Sequence, residues 1–392
     1  MDPIYLDYNA TTPLHPEVLE SMLPYMQGIY GNPSSIHRFG RDAKQGIEET
    51  REKVARLISV RPMEVVFTGG GTEADNLAIK GVASLKREKG RHIITSSIEH
   101  HAVLNTCQHL EKEGFRVTYL PVDRHGMVDP DEVRRAITKE TILITIMHSN
   151  NEVGTIQPIE EIGEIARDFG VLFHTDAVQS MGKVPVDVNA LRVDLLSMSA
   201  HKIYGPKGVG ALFVRTGVQI EPLVHGGHHE MNRRAGTENV AGIAGFGKAG
   251  EMALSSLGEG SETIRTLRDY FWERIEERIP HVYLNGHPFR RLPNTLHVSF
   301  EFVGGESLLI LLDLSGIAVS GGSACTSGAQ EPSHVLAAMG ISKEIAQGSI
   351  RFSLGRGTKR EEIDRAVEVL REAVNRLRSM SPLFADRKKA ES

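Results

Sequence analysis

The chain has only two cysteines, Cys107 and Cys325, in 392 residues. That scarcity excludes a disulfide-rich secreted scaffold and a zinc or cluster site built from four cysteines of one chain. A single disulfide stays formally open. Long hydrophobic runs are also missing. The longest, at 142–147 and 308–312, are far too short to span a bilayer. The start, Met1-Asp2-Pro3-Ile4-Tyr5-Leu6-Asp7, has no basic or apolar region of a signal peptide, so the reducing cytoplasm is the expected location. Charge of one sign is lacking too: 45 basic against 50 acidic residues give −5, which offers no reason to expect a nucleic-acid or membrane partner. Hydrophobic residues at 40% and charged residues at 24% fit an ordinary folded protein with a core large enough to do without disulfides.

Short apolar runs recur at 65–67, 92–95, 117–120, 141–147, 171–173, 195–198 and 211–214. Helical patterns separate them, for example at 73–89, 101–113, 130–136 and 159–169. Such alternation predicts a mostly parallel central sheet with helices on both faces, and ligands at the carboxyl ends of its strands. The polar stretch 255–261, rich in Ser and Gly, reads as a linker or domain edge. After it come a helix over 264–279, strands at 295–302, 317–320 and 349–353, and a final helix with Ile363, Val367, Leu370, Val374 and Leu377 on one face. The expected division is a large domain over 1–258 and a smaller C-terminal α+β domain over 259–392, with the N-terminal segment packing on the latter. The tail from Ala385 reads as frayed.

Three pieces carry chemistry together. Phe67-Thr68-Gly69-Gly70-Gly71-Thr72-Glu73 runs from a strand through glycines into a helix, where free N–H groups and a hydroxyl suit a phosphate. It is neither a Walker loop nor a dinucleotide fingerprint. Phe173-His174-Thr175-Asp176 puts an acid just past an apolar strand, and helix capping is its bland alternative. Ser199-Ala200-His201-Lys202 puts a lysine at another strand end, where desolvation could make it a Schiff-base amine. A phosphate cradle, an acid and a lysine, in that order, are what pyridoxal 5′-phosphate requires. They are also what fold-type I enzymes of that cofactor resemble. Finally, Ser320-Gly321-Gly322-Ser323-Ala324-Cys325-Thr326-Ser327-Gly328 sets a thiol among small, flexible residues, as a loop nucleophile needs. Cys107 lies in a helical run and reads as packing.

With these motifs in place, the chain resembles the cysteine desulfurases of the NifS/IscS type. The likeness runs from Tyr5-Leu6-Asp7-Tyr8-Asn9-Ala10-Thr11-Thr12 to Ser381-Pro382-Leu383. It includes Gly31-Asn32-Pro33-Ser34-Ser35, Ser149-Asn150-Asn151-Glu152-Val153-Gly154, Arg234-Ala235-Gly236-Thr237-Glu238-Asn239 and Ser349-Ile350-Arg351-Phe352-Ser353. The resemblance implies the fold-type I architecture, class-V aminotransferase membership, and pyridoxal 5′-phosphate as cofactor. It implies that Lys202 attaches the cofactor and moves the substrate Cα proton. Asp176 pairs with the ring nitrogen. His100 lies against the ring and assists proton transfer. Asn151 and Gln179 contact the ring substituents. Gly71, Thr72, Ser199 and His201 hold the phosphate, with Thr237 added from the partner subunit of a homodimer. Arg351 clamps the substrate carboxylate, with Asn32 and Asn151 also at the substrate. Cys325 is the nucleophile that takes sulfur from L-cysteine, releases L-alanine, and passes the persulfide to a scaffold for iron–sulfur assembly.

The chain departs from that pattern in places. Gly69 stands where many relatives have Ser. His228 and Met231-Asn232 alter the loop His225–Arg234. The histidines of that loop lack metal-ligand spacing, so no resident metal is expected, although Cys325 could transiently hold a cluster with outside ligands. The rival readings are a selenocysteine lyase or an aminotransferase for a small amino acid on the same scaffold, and a non-catalytic cluster carrier.

Overall fold

The structure, a computed structural model, describes residues 2–321, 333–382 and 384. The chain opens with β1 (Ile4–Tyr5), α1 (Pro16–Gln27) and α2 (Arg38–Leu57). Next come β2 (Val65–Thr68), α3 (Gly71–Lys86), β3 (His92–Ser96), α4 (His101–Lys112) and β4 (Arg116–Leu120). These are followed by α5 (Pro130–Ala136), β5 (Thr141–Thr145), α6 (Ile159–Phe169), β6 (Leu172–Asp176), β7 (Leu195–Ser199) and β8 (Gly210–Val214). Seven strands form one sheet in the order β2-β8-β7-β6-β5-β3-β4. The sheet is mostly parallel, but β8 runs antiparallel to both of its neighbours.

Both faces of this sheet are covered, and the two-residue period of the strands decides which side chain goes where. Val65, Phe67, Ile94, Ile144 and Leu196 face a core shared with α2, α5, α6 and α7 (Val240–Ser255). Val66, Ile93, Leu143 and Leu195 face the core under α3 and α4. Cys107 is fully buried in that second core, where burial pushes its thiol up to about 12. It is inert packing at neutral pH.

The smaller domain follows: α8 (Glu259–Arg278), β9 (Val282–Asn285), β10 (Thr295–Phe300), α9 (Gly305–Leu314), β11 (Ile317–Ala318), β12 (Ser320–Gly321), α10 (His334–Ala338), α11 (Lys343–Gln347), β13 (Ser349–Ser353) and α12 (Arg360–Ser379). Its sheet is antiparallel, β12-β13-β10-β9. The stretch read as a linker or domain edge is a short turn between the last helix of the large sheet's domain and the first of the small one. Ser255 ends α7 and α8 already starts at Glu259. Only Ser256, Leu257 and Gly258, the last at φ +93°, separate the two helices, and acidic Glu259 and Glu262 favour the N-terminus of the second. The N-terminal segment crosses over to this domain. β1 pairs in parallel with β11, and Ile4 and Leu6 are buried among Leu296, Ile317, Ile350 and Phe352.

Candidate active site

The parallel strands end on one edge, and their following residues build the site. After β2 the chain turns through Gly69 and Gly70 into α3. Gly70 has φ +149°, a backbone only glycine adopts without strain. A side chain on Gly71 would collide with Val178 at 2.7 Å, so the first turn of α3 must stay bare. A 740 Å³ cavity lies over it, lined by Gly69, Gly70, Gly71, Thr72, Asn76, Ser199, His201 and Thr11 among others. Free N–H groups of a helix start and the positive end of its dipole face this space. The Ser199 hydroxyl is buried there without a hydrogen-bond partner. His201 Nδ1 lies 3.2 Å from Thr11 Oγ1. Burial and then the charge of Lys202 push its imidazole down to about 4.

Asp176 ends β6 and is buried. Its Oδ1 accepts from the Val178 N–H at 2.9 Å. Burial pushes the carboxyl up to about 6, opposed by that N–H and by Lys202. Behind it lie further buried polar groups. His174 bridges Thr145 Oγ1 at 2.8 Å and Ser197 Oγ at 3.0 Å, and stands 3.7 Å from Asp75 Oδ1. Glu99 accepts from Ser96 Oγ and the Met147 N–H, and burial pushes it up to about 8. His100 caps α4, its Nδ1 accepting from the Ala102 N–H at 3.1 Å. Burial and then Lys202 push it down to about 4, so the imidazole is neutral at pH 7 with Nε2 carrying the proton.

Lys202 follows β7 on a single turn of 3-10 helix. Its Nζ donates to the carbonyls of Asn9 at 2.5 Å and Ala10 at 2.8 Å. Asn9 is the hub of the site. Its carbonyl also accepts from Gln179 Nε2, while its amide donates to the Asn151 carbonyl and Thr295 Oγ1. Asn294 and Lys183 donate to its Oδ1. One side chain thus ties the edge of the large sheet to β10 of the small domain.

Arg351 comes from β13 of the small domain and is buried. Nη2 donates to Asp7 Oδ1 at 2.9 Å and Nη1 to the Asn151 carbonyl at 3.0 Å. Its Nε is buried without a partner. The structure therefore gathers Gly71, Thr72, Ser199, His201, Lys202, His100, Asp176, Gln179, Asn151 and Arg351 around one edge. It does not bring Asn32 and Thr237 there within the chain. Those two line a separate cavity of 940 Å³ together with Arg51, Glu230 and Met231. In the histidine-bearing loop beside it, His228 Nδ1 meets Asn232 Oδ1 at 2.7 Å and His229 Nδ1 accepts from the Gly236 N–H. Cys325 lies outside the described residues. Asn9, Asp7, Lys183 and Glu99 were not among the residues singled out from sequence, although Asn9 and Asp7 stand in the Tyr5–Thr12 motif.

Residues 4–366 match the aminotransferase class-V family. The chain is 56% identical over 379 residues to the cysteine desulfurase IscS of Dictyoglomus turgidum, covering 97% of this chain and 96% of that protein. It is 57% identical over 380 residues to the IscS of Methanosarcina thermophila, covering 97% and 94%. Among solved structures, a NifS-like protein superposes with a TM-score of 0.90 at 41% identity, covering 95% of this chain and 99% of that one. A structure of SspA in complex with cysteine superposes at 0.80 with 40% identity, covering 90% and 98%.

Proposed function

The chain belongs to the aminotransferase class-V family, and from that membership and its site we infer a pyridoxal 5′-phosphate-dependent cysteine desulfurase. It converts L-cysteine to L-alanine and supplies the sulfur for iron–sulfur assembly. The observation that carries the reading is the glycine-walled cavity over α3, with its unmet Ser199 hydroxyl and with Asp176 and Lys202 at the ends of the neighbouring strands.

The residues fit the cofactor. The α3 N-terminus, Thr72, Ser199 and His201 would hold its phosphate, and Asp176 would keep its ring nitrogen protonated. When bound, the cofactor supplies an electron sink for the bonds at the substrate Cα. Lys202 removes the Cα proton and returns one, with His100 assisting as a neutral imidazole. Gln179 and Asn151 would contact the ring substituents. Arg351 binds the substrate carboxylate through its guanidinium, whose Nε has no other call on it among the described residues. The Cys325 thiolate attacks the substrate sulfur. The new S–S bond leaves a persulfide on Cys325, and the electrons of the broken C–S bond return to carbon, which is protonated and leaves as alanine.

A homodimer completes the reading. Thr237 reaches the phosphate from the partner subunit, and Asn32 acts near the same boundary. Ile36 and Tyr30, 91% and 72% exposed, and Phe39, whose ring stacks on Tyr30, are exposed apolar side chains that a second copy would cover. The acceptor is a scaffold protein of the cytoplasm. The deciding experiment follows alanine and sulfide from L-cysteine, with reductant, for native protein and Cys325→Ala. Equimolar products from the native protein alone support the reading. No products from native protein that is yellow with cofactor would leave the family and remove the reaction.

A further inference from the structure

Lys183 is a second lysine at the site, and the reaction gives it no part. It lies one helical turn beyond Gln179, in a segment whose backbone makes i,i+4 bonds such as Val184 N–H to Ser180 C=O. Its stem is half-buried, and its Nζ turns inward to donate to Gln179 Oε1 at 3.0 Å and, at 3.4 Å, to Asn9 Oδ1. Gln179 is buried, 6% exposed, and its Nε2 donates to the Asn9 carbonyl at 3.0 Å.

These contacts fix which way the amide of Gln179 points. A carboxamide can rotate by half a turn and exchange its oxygen for its NH₂. The Asn9 carbonyl can only accept, so it requires the NH₂. A charged lysine amine can only donate and requires the oxygen, and a neutral one donates to it too once the Asn9 carbonyl has taken the NH₂. Both neighbours demand the same orientation. Among the described residues the second N–H of that amide has no acceptor.

We propose that Lys183 is a positioning residue that holds the Gln179 amide with its N–H, not its oxygen, toward the cofactor. The inference rests on the cofactor reading given above. An N–H presented to an oxygen on the ring favours the anionic form of that oxygen and eases loss of the neighbouring proton. Lys183 thereby lowers the pH at which the bound cofactor loses its proton, and it does so through Gln179. The charged groups acting on Lys183 are Lys202, from the turn after β7, and Arg351, from β13; with burial they hold its amine well below the usual lysine range. His201 feels Lys183 in turn. Asp7 is engaged by Arg351, and Asp176 accepts from Val178. Among the described residues no carboxylate is hydrogen-bonded to Lys183. Even a neutral amine there keeps N–H donors for Oε1.

The test reconstitutes wild type, Lys183→Met, Lys183→Arg, Gln179→Ala and the Lys183→Met/Gln179→Ala double variant with pyridoxal 5′-phosphate. It reads the pH midpoint of the bound cofactor's visible absorbance and the cofactor dissociation constant. Lys183→Met is expected to raise the midpoint by about one pH unit, tenfold in the protonation equilibrium. Gln179→Ala should raise it alike, and the double variant no further, because the two residues act in series. Lys183→Arg keeps a donor and stays near wild type. An unmoved midpoint in Lys183→Met, or a double variant equal to the sum of the singles, overturns the proposal, since Lys183 is then a bystander or an independent charge. Should Lys183→Met fail to fold, Lys183→Gln, too short to reach Oε1, must show the same upward shift, and no shift overturns it. Wild type that takes up no cofactor would defeat the cofactor reading and this inference together. A yellow wild type with unmoved variants defeats this inference alone.

Discussion

Arg51 and Arg351 are both buried, each 5% exposed, yet their surroundings differ in kind. Arg51 has a partner on every nitrogen. It grips Glu230 through two bonds at 2.7 and 2.8 Å, donates to the Val65 carbonyl, and reaches Glu48 through Nε. It also lies 4.8 Å from the centre of the Phe67 ring, and Glu230 accepts the Phe67 N–H as well. This is a strut between α2, β2 and the loop of residue 230. Arg351 keeps Nε unmet. A buried polar atom without a partner is costly, and in the function proposed above the substrate carboxylate would answer it. Unmet atoms alone are not diagnostic. Arg274 Nε and Arg291 Nε are unmet too, and they, like Arg351, line neither of the two cavities described. Ser199 is unmet and does line the cofactor cavity. The difference teaches that a closed pair marks the scaffold even where it borders a cavity, as Arg51 and Glu230 do, while an unmet donor marks the site only beside the site's other residues, as in Arg351 against Asp7 and Asn151.

Removing the strut has the largest effect. Arg51→Met strands the Glu230 carboxylate in the interior and is expected to cost about 3–5 kcal/mol of stability, read by denaturant unfolding, while kcat per folded site changes little. Arg351→Met should do the reverse: kcat/KM for L-cysteine falls about 100-fold, from roughly 3 kcal/mol of lost charge-assisted bonding, with less effect on stability. If the two variants exchange these outcomes, the comparison fails.

Ser199→Ala sharpens it on a smaller scale. Its hydroxyl bonds nothing among the described residues, so unfolding of the cofactor-free protein should be nearly unchanged. Cofactor affinity should fall about 5–10-fold, near 1 kcal/mol for one hydrogen bond. Equal loss in cofactor-free and loaded protein would assign the hydroxyl to the scaffold instead.

The smallest effect is a slope with pH. Burial pushes Glu99 up to about 8 and Glu152 to about 7, while an unfolded glutamate titrates near 4.3. Folded protein therefore holds protons that the unfolded chain has released. The stability from each is whole below the unfolded value and is lost as pH rises through the folded one. The buried histidines of the site, pushed down to about 4 in His100 and His201, stay neutral in the fold while an unfolded histidine is half-charged near pH 6.5, so they raise stability with pH until about pH 7.5. Between about pH 7.5 and 8 Glu99 should lower stability as pH rises, by up to about 1.4 kcal/mol per pH unit, while Lys183, held well below the usual lysine range, acts the opposite way. Glu99→Gln should flatten that slope, and Arg51→Met should leave it as it is. A Glu99→Gln slope equal to wild type would contradict the buried proton.

Much of this was legible in the sequence where local pattern and tertiary role coincide. Strands buried on both faces read as apolar runs bounded by turns, so β5, β6 and β7 stand near their expected places, and α5, α6 and β13 have their expected bounds. The glycine cradle was legible because only glycine tolerates φ +149° at Gly70 and close approach to Val178 at Gly71. The direction of β8 was not, since a strand's residues do not encode the hand of its neighbours. Nor was the start of α8, where acidic residues of the first turn outweighed Gly and Ser.

The sequence alone determined the alternating architecture, the order of cradle, acid and lysine, and the likeness to a family, because these depend on residue type and spacing. Tertiary structure alone decided that Asn9 joins two domains, that Lys183 sets the amide of Gln179, and that Thr237 and Asn32 line a cavity of their own. Those facts depend on which distant backbone and side-chain groups meet in a dry interior, where each donor must find an acceptor.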